Sequence, residues 1–253
     1  MEKITARSNP LLQHMKKLAA DGAYRRQRGL FLGDSPKLLE EAVRWGGEIV
    51  EVVLAEGVTV PALPRGVRVV EVPRDVMTSV SPMKTPQGAL FTCRIPQAAV
   101  PEKLTGRRYV VLDGVQDPGN VGTILRTLDA FDFDGLILLE GCADAWSIKT
   151  VRASMGAVFR RDIYTMTAEA CFALLRRSDL PLYGTALRED TVDARHADLS
   201  RCAIAIGSEG RGLREVVLAN CEKTLKIPMS QRCESLNAAV AAAVLLWESY
   251  RND

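Results

Sequence analysis

Beyond residue 107 the chain alternates short apolar runs with stretches of helical periodicity, and this alternation constrains the fold more than any other feature. Residues 109–112 (YVVL) read as a buried strand, 113–119 as a tight loop, 121–131 as a helix and 136–139 as the next strand. Further strands are expected at 182–185, 203–206 and 224–227, and a closing helix from about 236 to 250. Apolar strands separated by helices need crossover connections, so they build a mostly parallel sheet. Such sheets take ligands in crevices at the carboxyl ends of their strands. The loops after Leu112, Thr185, Ile206 and Ile227 are therefore where chemistry is expected.

The preceding residues form a smaller α/β pattern. Leu11, Leu12, Met15 and Leu18 have helical spacing over 9–17. A strand at 30–32 leads into a helix capped by Ser35, opened by Pro36 and closed by Gly46 and Gly47. Strands are expected at 49–54, 67–72 and 89–93, with the polar segment TSVSPMKTPQG read as turns. Two prolines and a loss of periodicity mark a linker, which gives a unit over 1–96, a linker over 97–106 and a second unit over 107–253.

Composition narrows the function. With 47% hydrophobic and 25% charged residues among 253, the chain is neither disordered nor low-complexity. The longest apolar run, 238–247, is about half of the roughly 20 residues a membrane span needs, and the start of the chain lacks a signal-peptide core, so a cytoplasmic protein is expected. Six cysteines without a CxxC pair and two histidines (His14, His196) give no metal-binding spacing and little material for histidine-based catalysis; the cysteines read as buried free thiols and no metal is expected. Residues 1–28 carry a net +5, leaving −3 for the rest of a chain of net +2. Lys16, Lys17, Arg25, Arg26 and Arg28 in that segment suit phosphate contacts or, equally, a solvated helix face.

Three loops carry polar residues that call for a reason. In LDGVQDPGNVGTILRTLDAF, Asn120 is a suitable helix cap, and Arg126 is expected near the helix start, where a cation opposes the helix dipole unless an anion is near. AIAIGSEGRGL places Gly207, Gly210 and Gly212 around Glu209; its GxxGxG spacing matches neither the dinucleotide nor the lysine-containing phosphate fingerprint. In LKIPMSQRCESLNAAVAAAVLLWESY, Ser235 can cap an almost wholly apolar helix and Asn237 is its one polar residue before Trp247, so burial by the fold or by a partner chain is expected.

Together these segments resemble the SpoU (TrmH-like) family of RNA 2′-O-ribose methyltransferases, in the SPOUT superfamily. DPGNVGTILRT, IKTVRASMGAVFR, IGSEGRGL and IPM followed by ESLNAAVAAA occur in the family's order over residues 107–253. The first 96 residues are similar to the ribosomal-protein-like substrate-binding domain that often precedes it, through the basic helix, FLGDSPKLLEEA and the TPQG turn.

The resemblance implies an α/β fold with a trefoil-knotted, mostly parallel carboxyl-terminal sheet, S-adenosyl-L-methionine as cofactor, and a homodimer with a shared active site. By matched position it implies cofactor binding at Gly207, Ile227 and Leu236, with Thr185 and Ala186 after the preceding strand expected to line the same pocket, and catalytic roles for Asn120, Arg126, Glu209, Ser235 and Asn237. Lys149 and Arg152 join the basic residues of the first unit as expected RNA contacts. Arg126 is expected to clamp a phosphate, with Glu209 orienting it. Ribosomal RNA is the favoured substrate; transfer RNA, or a non-catalytic RNA-binding factor on the same scaffold, are the alternatives. The sequence departs from the usual pattern at Asp132, where glycine is common, at Gly33-Asp34-Ser35, where many relatives carry an acidic residue and glycine, and at Trp146-Ser147-Ile148, which replaces a proline-bearing turn before Lys149.

Overall fold

Residues 2–96, 100–186, 188, 191–230, 232 and 235–251 are described in the computed structural model of this chain. The chain divides into two units, Met1–Gln97 with Trp146–Arg160, and Ala98–Ala145 with Arg161–Asp253. Of the expected linker, residues 97–99 lie outside the described residues. Leu104 is buried in the core of the second unit, and its amide donates to Ser178 Oγ at 2.9 Å.

The first unit runs β1 (Glu2–Lys3), α1 (Pro10–Ala20), α2 (Gly22–Arg28), β2 (Leu30–Asp34), α3 (Pro36–Arg44), β3 (Ile49–Ala55), β4 (Arg68–Val72), α4 (Arg74–Val80) and β5 (Ala89–Arg94). Its five-stranded sheet has the order β1-β4-β3-β5-β2. β3 runs parallel to β4, and β5 runs antiparallel to both β3 and β2. The expected apolar stripe of α1, Leu11, Leu12, Met15 and Leu18, is buried with Val53, Val70 and Leu90 of the sheet. The segment read as polar turns begins inside α4, whose Val76, Met77 and Val80 face the core; its short amphipathic pattern was hidden by the threonine and serine beside it.

Ser35 caps α3 as expected, its Oγ accepting from Leu38 N at 3.2 Å, but at φ 92° and ψ 145°. That is a glycine-favouring conformation, as is φ 54° at Asp132, the position at which glycine is common in the family pattern.

The second unit holds a seven-stranded sheet, and every neighbouring pair in it is parallel. Its elements are β6 (Arg108–Asp113), α5 (Pro118–Ala130), β7 (Gly135–Leu138), then α6 (Ile148–Ala153), which belongs by its contacts to the first unit, β8 (Asp162–Thr165), α7 (Ala168–Arg177), β9 (Leu182–Thr185), β10 (Val192–Asp193), β11 (Cys202–Gly207), α8 (Glu215–Leu218), β12 (Lys223–Lys226) and α9 (Ala238–Tyr250). The order β10-β12-β9-β11-β6-β7-β8 puts β6 and β11 side by side near the middle, and every residue of both is buried. Apolar residues on both faces of these strands are what a covered parallel sheet requires.

Among the described residues no helix is long and apolar enough to cross a membrane, and no group of three or more histidine, cysteine or acidic side chains is placed to hold a metal ion. Cys93, Cys171 and Cys202 are buried free thiols and Cys142 and Cys221 are half-buried ones; Cys233 lies outside the described residues.

Candidate functional site

The carboxyl ends of β9, β11 and β12 and the start of α9 enclose a cavity of about 310 Å³. All five residues expected to bind cofactor line it: Thr185 ending β9 and Ala186 after it, Gly207 ending β11, Ile227 after β12 and Leu236 before α9. Glu209 and Ser235 line it too. The glycine loop that forms one wall is closed on itself, with Ser208 N donating to Gly212 O at 3.2 Å and Gly212 N donating to Ser208 O at 2.9 Å. A Cβ at Gly207 would lie 2.1 Å from the Gly212 carbonyl carbon, so glycine is required for the loop to fold back this closely.

Asn120 and Asn237 meet at Glu209. Asn120 Nδ2 donates to Glu209 Oε1, and Asn237 Nδ2 donates to Asn120 Oδ1 at 3.2 Å. This linkage depends on helix starts that differ from those expected. α5 begins at Pro118 with Asp117 as its cap, Oδ1 accepting from Asn120 N at 2.9 Å, so the Asn120 side chain is released from capping. α9 is capped by Asn237 rather than Ser235: Asn237 Oδ1 accepts from Ala239 N at 2.9 Å and Val240 N at 3.3 Å. Asn237 is accordingly exposed at the helix start, and burial of its amide is not observed.

Arg126 stands in the third turn of α5, since the helix starts earlier than expected, and the argument from an opposed dipole does not apply to it. Its side chain is exposed, and no partner for it is found among the described residues. The expected pairing of Glu209 with Arg126 is replaced by the bond from Asn120.

A clamp that sequence reading missed fixes the far end of the glycine loop. Asp113, with its side chain fully buried at the end of β6, accepts from Arg214 N at 2.8 Å and from Arg214 Nε at 2.6 Å. Arg214 Nη2 reaches Glu140 at 3.2 Å. Partial burial works against the Arg214 charge, but the hydrogen bonds to Asp113 and Glu140 hold its pKa above the ordinary value. A carboxylate closing a buried strand was the available signal, because a buried charge needs a partner.

Of the expected RNA contacts, Lys17, Arg26, Arg28 and Lys149 are exposed and Lys16 is half-buried. Arg25 is turned inward, 5% exposed, with Nη1 donating to Leu18 O at 2.5 Å and Ala19 O at 3.3 Å. It ties down the end of α1 and is withdrawn from the phosphate-contacting set, because those carbonyls hold its guanidinium in the interior. Arg152 pairs with the buried Asp34 at 3.4 Å. Burial pushes the Asp34 carboxyl upward and Arg152 opposes that shift.

An α/β fold with a ligand-sized cavity at the carboxyl ends of a parallel sheet, walled by a glycine loop with a carboxylate in its lining and side-chain amides bonded to it, defines a class of enzymes acting on a bound cofactor. Residues 107–247 match the model of the SpoU rRNA Methylase family, and residues 9–90 match that of the MRM3-like substrate binding domain. The chain is 31% identical over 249 residues to the 23S rRNA (guanosine(2553)-2′-O)-methyltransferase RlmP of Bacillus subtilis, covering 98% of each. Among solved structures it is similar to a TrmH-family protein from Porphyromonas gingivalis (TM-score 0.87, 33% identity, 97% and 99% of the two chains). It is also similar to an AdoMet-bound rRNA methyltransferase from Sinorhizobium meliloti (TM-score 0.88, 29% identity, 99% and 98%). The chain belongs to the SpoU rRNA methylase family.

Proposed function

We propose that this protein transfers the methyl group of S-adenosyl-L-methionine to a ribose 2′-hydroxyl of ribosomal RNA. The observation that carries the reading is the Asn237–Asn120–Glu209 linkage at a cavity walled by the glycine loop, in a chain that matches the family's model over residues 107–247. The cavity suits the cofactor: its volume lies at the lower end of the roughly 300–1,000 Å³ of small-ligand sites, and Ile206, Leu225, Ile227 and Leu236 offer apolar cover to a flat base. Bound S-adenosyl-L-methionine supplies a methyl group on a sulfonium, a good leaving group, so alignment provides much of the rate.

Thr185, Ala186, Gly207, Ile227 and Leu236 are assigned to hold the cofactor, and Ser235, Asn237 and Asn120 to orient the reacting groups beside Glu209. A guanidinium with a pKa above about 12 is a poor proton acceptor. Arg126 is therefore assigned to grip the target nucleotide's phosphate and to stabilise negative charge developing on the 2′ oxygen. The exposed stripe Val240, Val244 and Trp247 on α9, one or two turns apart, supports the homodimer, and the trefoil knot is part of the same family reading. Ribosomal RNA as substrate places the reaction in the cytoplasm.

The test is transfer of labelled methyl to a ribosomal RNA fragment, followed by nucleoside mass spectrometry. Replacing the target residue by its 2′-deoxy analogue abolishes transfer, because the 2′-hydroxyl is the acceptor. Arg126→Lys lowers single-turnover rates by at least about tenfold, because a lysine cannot make a bidentate grip. Methylation of the deoxy substrate, or full turnover by Arg126→Lys, would overturn the respective assignment.

A further inference from the structure

The first unit carries a second cavity, of about 670 Å³, that the proposed chemistry does not use. His14 and Lys17, three residues apart, share one face of α1, and Tyr24 and Arg28, four apart, share one face of α2, so both pairs line the same opening. His14 Nδ1 and the Tyr24 hydroxyl are 2.9 Å apart, and the two rings meet edge to face with centroids at 5.5 Å. Lys17 Nζ lies 5.8 Å and Arg28 Cζ 5.2 Å from the centre of the Tyr24 ring. Among the described residues neither cation is paired with a carboxylate. Burial lowers the His14 pKa, which Glu51 opposes and Arg28 reinforces; with Nδ1 at the Tyr24 hydroxyl, the ring's second nitrogen is left for one further hydrogen bond.

Isolated cations over an aromatic ring are ordinary on protein surfaces. Here they surround a cavity, the ring is fixed by a second aromatic side chain, and an acidic residue, Glu51, lines it too, its other neighbour being Arg68 Nη1 at 3.8 Å. Phosphate suits the two unneutralised cations, a flat heterocycle suits a face of the Tyr24 ring once the cation over it turns to that phosphate, and a carboxylate accepts from the amino group of a base. A bare anion would gain from the cations and lose to Glu51; a nucleotide satisfies both. We infer that this cavity seats one nucleotide of single-stranded substrate RNA other than the methyl acceptor, with its phosphate on Lys17 and Arg28 and its base on the Tyr24–His14 pair. The inference rests on the reading of the chain as an RNA methyltransferase and adds to it a site of defined chemistry in the first unit.

The test uses the full chain and a fluorescein-labelled single-stranded RNA of about 12 nucleotides, by anisotropy between roughly 50 and 200 mM salt. Tyr24→Ala weakens binding about ten- to a hundredfold, and Tyr24→Phe, which keeps the ring, stays within about threefold of wild type. The exposed pair Lys17→Ala with Arg28→Ala lowers the slope of log affinity against log salt by about 1.4. KM for a ribosomal RNA fragment rises with the loss of affinity. Variants that melt like wild type and bind RNA with unchanged affinity and slope overturn the site, whatever the methylation assay shows. If wild-type protein binds RNA through these residues yet transfers no methyl to it, the methyltransferase reading fails and the nucleotide site stands.

Discussion

Replacing Gly207 by alanine tests whether the closed glycine loop shapes the cofactor cavity. The added Cβ would stand 2.1 Å from the Gly212 carbonyl carbon and 2.3 Å from both Gly212 O and Leu213 N, against the 3.4–4 Å of ordinary contact. These are backbone atoms and cannot rotate away, so the loop must retreat by roughly an ångström, a displacement of the size that costs about a hundredfold when it affects a reacting group. Retreat pulls on both Ser208–Gly212 hydrogen bonds while Asp113 still holds Arg214 at the loop's far end. The wall that carries Ser208, Glu209 and Gly210 therefore moves relative to Ile227 and Leu236 across the cavity. The expected outcome is a ten- to hundredfold loss of S-adenosyl-L-methionine affinity by titration calorimetry, or about 1.4–2.8 kcal/mol. The strands beneath the loop keep their pairing, so the far-ultraviolet circular dichroism should stay native. Wild-type affinity in a correctly folded Gly207→Ala protein would refute the argument that this close approach sets the cavity wall.

Two further predictions concern stability and thiol reactivity. Ser35→Gly relieves a backbone conformation costing on the order of 1–3 kcal/mol, and gives back a few tenths for the cap and about 0.5–1 kcal/mol for the freer unfolded chain. A net gain of about 1 kcal/mol should raise Tm by roughly 2–4 °C by calorimetry, and an unchanged or lower Tm would show that Ser35 is not strained. Burial pushes the Cys221 thiol up to about 11 and those of Cys171 and Cys202 up to about 12. On the order of a thousandth of Cys221 is then thiolate at pH 8, so in a Cys233→Ser protein this half-buried thiol should react only slowly with a disulfide reagent, and the buried Cys171 and Cys202 only on unfolding. Prompt native-state labelling of any of them, located by peptide mass spectrometry, would refute that burial.

The parallel sheet was legible because strands such as YVVL and AIAIG are apolar on both faces, which few other environments accept. The cavity was legible too, as the loops after those strands. Helix starts were less so. Asp117 and Asn120 are both good caps, as are Ser235 and Asn237, and local preference cannot choose between them. Pro118 suits a first helical position, and taking it as the start of α5 would have identified Asp117 as the cap and freed Asn120. The inward turn of Arg25 is set by the end of a neighbouring helix, a tertiary circumstance that a count of charges cannot register. The Asp113–Arg214 clamp joins residues far apart in sequence, and Arg214 follows the glycine loop outside the segments that carried the reading.

β11 sits between β6 and β9, although β7, β8, β9 and β10 all separate it from β6 along the chain. During synthesis the β6–β7–β8 half of the sheet can form early, but the open edge of β6 must wait for a strand that emerges much later. Until then that edge is an unpaired apolar strand, the kind of surface that draws in other chains. Gly207 ends the late strand and begins the glycine loop, so the cavity comes into being only when the sheet is completed. A ligand of that cavity binds only finished molecules and favours the last step of assembly over aggregation of its predecessors.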